Sequence, residues 1–134
     1  DQSFTKEALS AIERFIMQFP QSEHLADAKE KRAVLFSKLA QHAMEVAAYY
    51  KKRGRFKAAV ERYMSVESLY PEALESAEAL FLAARILEVE LNDTDQALEL
   101  YVQIVNNKKD SPYIEQASTY LGKLLKEREE LQQP

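Results

Sequence analysis

No cysteine occurs in this chain, so disulfides and thiolate-bound metals are excluded and no redox compartment can be read from it. Glycine is limited to two residues and proline to four. Phosphate-cradling loops need clustered glycines, and Gly54 and Gly122 each stand alone. No apolar run approaches the roughly 20 residues of a membrane-spanning helix. The basic excess that general nucleic-acid binding requires is also missing, because the formal net charge is -4. His24 and His42 fall eighteen residues apart on one expected helix, about 27 Å along its axis, too far to share a metal. An initiator methionine and a signal-like start are absent, and Asp1 opens almost directly into a helix. We read the chain as a piece of a longer protein whose targeting information lies upstream.

Chemistry is equally hard to assemble. Serine, histidine and acids are present, but no strand–turn–helix frame presents a nucleophile. Glu88, Glu90, Asp93 and Asp95 lack the glycine and terminal glutamate of a calcium loop. They read as cap chemistry and a solvated turn. We expect no catalysis, no metal and no cofactor.

What remains is alanine, leucine and glutamate in helical phase, at a length of 134 residues suited to one domain. A first helix is expected from about Thr5, its N-cap, to Gln18, with Ala8, Leu9, Ile12, Phe15, Ile16 and Phe19 on its apolar side. Pro20 ends it. No proline or glycine then interrupts Gln21 to Arg53, so one helix of about 30 residues, ~45 Å long, is the simplest reading. Ser22 is its expected N-cap and Gly54 its left-handed terminator. Further helices are expected from about Phe56 to Leu69, Glu72 to Leu91, Asp93 or Thr94 to Asn107, and Ser111-Pro112 to Leu131. Leu74 and Leu80 should face inward on the fourth, Leu121, Leu124 and Leu125 on the last.

One phrase recurs along these helices: a small residue, a bulky one four on, and a proline eight further. Ala8, Ile12 and Pro20 form the first copy, and Ala59, Tyr63 and Pro71 the second. Ala97 and Tyr101 begin a third, where Lys109 takes the expected proline position. This is the second-helix half of a tetratricopeptide repeat (TPR), in which the small residue lets paired helices approach. The predicted fold is therefore all-α, a TPR-like superhelix of hairpins (an α-solenoid) with one long shared helix. The hairpins span about 5–53, 40–71 and 72–108, followed by a terminal helix over 111–131. Ala8 and Ala59 lie 51 residues apart, and Ala59 and Ala97 lie 38 apart, against about 34 in the ordinary unit. The long helix absorbs the first excess. Tyr50, Gly54, Ala59, Tyr63, Pro71, Ala97 and Tyr101 are assigned to packing.

Candidate partner-binding residues gather at one hairpin turn. Lys51, Lys52, Arg53, Arg55 and Lys57 form a basic knot. They either neutralise the negative end of the long helix or meet a protein partner. Arg62 should lie on the outer side of the third helix, within reach of Glu61 and Glu67. If Tyr50 faces the core, Tyr49 turns about 100° away. It then either lines a groove for an extended peptide or snorkels over the neighbouring hairpin.

From Phe15 to Pro71 the chain carries more than periodicity. Phe19-Pro20-x-Ser22, Asp27-Ala28, Tyr49-Tyr50, Arg53-Gly54 and Ala58-Ala59-Val60 together resemble the BamD lipoprotein family of the bacterial β-barrel assembly machinery. The match covers the C-terminal three fifths or so of such a protein and becomes generic beyond Pro71. The resemblance implies a non-catalytic scaffold at the periplasmic face of the outer membrane, held by a lipid on a cysteine upstream of Asp1. It implies docking on the membrane-proximal POTRA domain of the barrel-forming subunit, with other assembly lipoproteins as further partners and no nucleic acid. The arginine two residues after Ala-Ala-Val belongs to the family's docking face, and here it is Arg62. Two alternatives stay open: a YbgF-like coordinator of envelope constriction, whose repeats are more evenly spaced, and a regulatory TPR module cut from a larger protein.

Overall fold

The computed structural model describes residues 2–134, which form six α-helices and, among the described residues, no strand. They are α1 (Gln2–Gln18), α2 (Leu25–Lys52), α3 (Phe56–Leu69), α4 (Glu75–Val89), α5 (Thr94–Asn107) and α6 (Ile114–Gln132). Each helix packs on its chain neighbours, and α2 additionally reaches α4. Contacts confined to near neighbours are what a stacked helical-hairpin repeat produces. None of these helices is long and apolar enough to cross a membrane.

The long helix is continuous over 28 residues and stops where expected. Gly54 adopts φ 74°, the left-handed conformation. The Arg55 N–H then reaches the Tyr50 carbonyl at 2.9 Å and the Gly54 N–H reaches Lys51 at 3.0 Å. These two bonds make a Schellman turn, satisfying carbonyls that the helix end leaves open. At the end of α4 a second left-handed residue, Asn92 at φ 53°, turns the chain, and the Asp93 side chain caps α5 by accepting from Gln96 N–H at 3.1 Å.

Several helix starts differ from the expected ones. Thr5 lies inside α1, which is already helical at Gln2, so it is not a cap. Ser22 and Ser111 do not cap either. Each hydroxyl accepts from the N–H two residues on, His24 and Tyr113 respectively, both at 3.1 Å. A serine closing so short a turn delays the helix by two residues, from Glu23 to Leu25 and from Pro112 to Ile114. After Pro71 the chain makes a similar turn, with the Ser76 N–H on the Ala73 carbonyl, and α4 starts at Glu75 rather than Glu72. Leu74 consequently sits on the turn and is 90% exposed instead of inward. Leu125 is also half-exposed, because α6 has a neighbour on one side only.

The core centres on α4, where Leu80, Phe81, Ile86 and Leu87 are buried with four alanines. Ala59, Val60, Tyr63 and Val66 reach it from α3, and Ala97, Leu100, Tyr101 and Ile104 from α5. By contrast α1 contains no buried residue, and Ala8, expected at a close helix approach, is exposed.

Candidate partner-binding surface

The α2–α3 turn gathers four of the expected residues into one stack. The Arg53 guanidinium lies 4.3 Å from the centroid of the Tyr49 ring, and Tyr49 meets Tyr50 edge-on at 5.8 Å. From α3, Arg62 lies over the other ring, 5.9 Å from the centroid of Tyr50. The arrangement follows from local geometry. Tyr50 turns inward as the last aromatic of α2 before the turn, so Tyr49 is left on the surface, 54% exposed. The Schellman turn folds Arg53 back across Tyr49. Arg62 stands two residues after the buried Val60 and just before the buried Tyr63, on the outer side of α3. Each such cation–π contact is worth about 0.5–1 kcal/mol at an exposed site, enough to hold a long side chain extended.

Lys51, Lys52, Arg55 and Lys57 surround the stack, all exposed. Lys51 and Lys52 fall in the last turn of α2, where positive charge is favoured. Among the described residues, none of these cations, nor Arg53 or Arg62, makes an ion pair with a carboxylate. The surface is therefore a basic one with two aromatic rings at its centre. Tyr49 thus lies under Arg53 on its own turn rather than over a neighbouring hairpin.

The expected support of Arg62 by Glu67 does not occur. Glu67 turns to the other side, where its carboxylate pairs with Lys108 at 2.9 Å and accepts from the Ser76 hydroxyl. Lys108 also donates to the Pro71 carbonyl at 2.6 Å, so a lysine next to the absent third proline ties the α5–α6 turn to the α3–α4 turn. Glu88 also departs from expectation. It is not on a solvated turn but partly buried, accepting from Tyr101 Oη at 2.9 Å and pairing with Arg85 at 3.0 Å. Arg85 in turn covers the Tyr120 ring at 3.9 Å. Burial pushes the Tyr101 hydroxyl well above the ordinary tyrosine range, with Arg85 opposing and Glu88 reinforcing the rise. Arg85 and Glu88 stand three apart on α4, but nothing local in the sequence marks Tyr101 and Tyr120 as their partners, since α4, α5 and α6 meet only in the fold.

Ala59, Ala97 and Tyr101 are fully buried and Tyr63 nearly so, while Tyr50 is half-buried and Pro71 exposed in its turn. Among the described residues no group of three or more histidines, cysteines or acids is placed to hold a metal.

Comparison with known proteins converges on one family. The profile described as "YfiO: Outer membrane lipoprotein" matches residues 1–99. A relative named outer membrane protein assembly factor BamD from Caulobacter vibrioides is 31% identical over 94 residues, 69% of this chain and 31% of that protein. A BamD from Neisseria meningitidis serogroup B is 29% identical over 119 residues, 87% of this chain and 43% of its own. The chain thus spans about a third to two fifths of the length of these relatives. The profile covers the first two repeat phrases, the long helix and the arginine–tyrosine turn, and the chain belongs to the YfiO family of outer membrane lipoproteins.

Proposed function

We propose that the chain is a non-catalytic scaffold in outer-membrane protein assembly and that it docks on the membrane-proximal POTRA domain of the barrel-forming subunit. Membership in a family of outer membrane lipoproteins supports a location at the periplasmic face of the outer membrane. The observation that carries the docking face is the stack of Arg62, Tyr50, Tyr49 and Arg53. Tyrosine and arginine are the residue types that most often dominate interfaces. Here both arginines are held against rings in advance, so less side-chain freedom is lost when a partner binds. With no carboxylate among the described residues paired to them, their charge remains available to an acidic partner surface. Lys52 and Arg55 at the rim add to association rate and register more than to affinity.

Calorimetric titration with the isolated POTRA domain tests this reading. Arg62→Glu should weaken binding by at least about tenfold, equivalent to 1.4 kcal/mol, with unchanged helical content. Binding that is indifferent to both Arg62→Glu and Arg53→Glu would move the docking face elsewhere. No binding by the folded chain would remove the POTRA domain as partner.

A further inference from the structure

The turn between α2 and α3 is where the chain departs most from its own charge balance. Five of its 18 cations and none of its 22 acids fall between Lys51 and Lys57. The nearest acids along the chain, Glu45 and Glu61, stand a turn or more back on α2 and α3, and among the described residues neither pairs with these cations. Helix stability accounts for only part of the group. Lys51 and Lys52 favour the negative end of α2. Arg55 and Lys57 stand at the positive end of α3, where cations are disfavoured. Arg55 is the N-cap there without a side-chain hydrogen bond, and no acid occupies the first turn. Helices α2, α4, α5 and α6 each carry an acid in that turn. The stretch is also uncovered. Residues 51–55 are exposed without a break, and nothing lies within 4 Å of where a Cβ on Gly54 would stand.

We infer that this turn rests on a membrane surface and takes anionic phospholipid headgroups. The inference rests on the family's place at the outer membrane and is independent of POTRA docking. Lysine separates a lipid surface from a protein one. Protein interfaces are enriched in arginine and tyrosine and depleted in lysine. The stack of Arg53, Tyr49, Tyr50 and Arg62 has the composition of an interface, whereas Lys51, Lys52 and Lys57 around it do not. A lysine is a strongly hydrated point charge on a flexible stem, so it follows a fluid array of phosphates more readily than it fits one fixed carboxylate. Tyr49, 54% exposed beside these cations, suits the same boundary, its ring toward the apolar side and its hydroxyl wet. Each cation close to an anionic surface strengthens partitioning roughly fivefold. The acidic remainder of the chain lies farther off, and beyond about 8 Å its repulsion is screened at physiological ionic strength. That same asymmetry sets the orientation, with the basic turn toward the lipid and the acidic surfaces away from it.

Co-sedimentation with vesicles tests the inference, with helical content followed by circular dichroism. The chain should bind vesicles of phosphatidylglycerol and phosphatidylcholine in equal parts at low salt, despite its own net charge of -4. Salt should release it, and pure phosphatidylcholine vesicles should leave it in solution. Lys51→Gln together with Lys57→Gln should weaken the binding roughly 25-fold. Tyr49→Trp supplies the only tryptophan in a chain that has none, and its emission should shift to the blue on the anionic vesicles. No binding to the anionic vesicles overturns the inference, as does equal binding to the neutral ones, which would make the contact an apolar one. Binding indifferent to the lysine exchanges, or without the blue shift, overturns it by placing the contact elsewhere. Should the exchanges weaken POTRA binding while vesicles stay unbound, the lysine rim belongs to the protein partner and the inference falls. Failure of POTRA docking would leave every vesicle result standing, since the exchanged lysines are not part of the Arg62 stack.

Discussion

Helices α1 and α4 are both amphipathic by spacing, yet α4 buries nine residues and α1 none. The difference lies in their neighbours. Helix α4 is packed between α3 and α5 and touched by α2, where Ser37 and Gln41 donate to the Glu75 carboxylate. Among the described residues the substantial packing of helix α1 is on α2. In a stacked repeat the burial of a residue is thus set by the position of its helix in the stack as much as by its own side chain. Polar anchoring follows the same gradient. The Glu67–Lys108 and Arg85–Glu88 pairs are partly buried around α4, while the Asp27–Lys31 pair beside α1 is a surface one.

The largest test of this contrast is a pair of truncations read by urea unfolding. Leu80→Ala, at a 1% exposed site, should cost about 2–5 kcal/mol. Ile12→Ala, at a half-buried site on α1, should cost less than half as much, and equal losses would erase the distinction. A smaller effect is expected from Lys108→Ala. It leaves the mostly buried Glu67 carboxylate with only hydroxyl and amide partners and should cost about 1–3 kcal/mol. A cost near zero would show that the turns are held by packing alone. The mildest test is alkaline titration. Burial raises the Tyr101, Tyr63 and Tyr113 hydroxyls, with Glu78 adding to the last two. A raised folded-state value means that the stabilising contribution is complete below the unfolded value near 10 and is lost as pH climbs above it. Stability should therefore fall through the alkaline range, by up to about 1.4 kcal/mol per pH unit per tyrosine. Tyr101→Phe should flatten that fall. A slope unchanged by Tyr101→Phe would remove this residue as its source.

Much of the architecture was legible before any coordinates. The ends of α3 and α5 fall where capping and periodicity place them, and Gly54 takes the left-handed turn that its position after a long helix demands. Starts marked by serine were misread because Ser22 and Ser111 can satisfy either a helix end or a short turn, and the choice depends on the preceding residues. The arginine–tyrosine turn was only half visible. The basic knot stood out in the sequence, but Arg62 joins it only because α3 folds back on α2.

By itself the sequence determined the helical periods, the breaks at Pro20, Gly54 and Pro71, and the spacing that makes one helix serve two hairpins. These are local matters, fixed by backbone preference and by residues a few positions apart. Only the tertiary structure decided that Glu67 serves Lys108 rather than Arg62 and that Glu88 supports Tyr101. It likewise left Ala8 open where Ala59 and Ala97 are sealed. Those outcomes depend on which helix lies alongside, and so on distances that chain order does not encode.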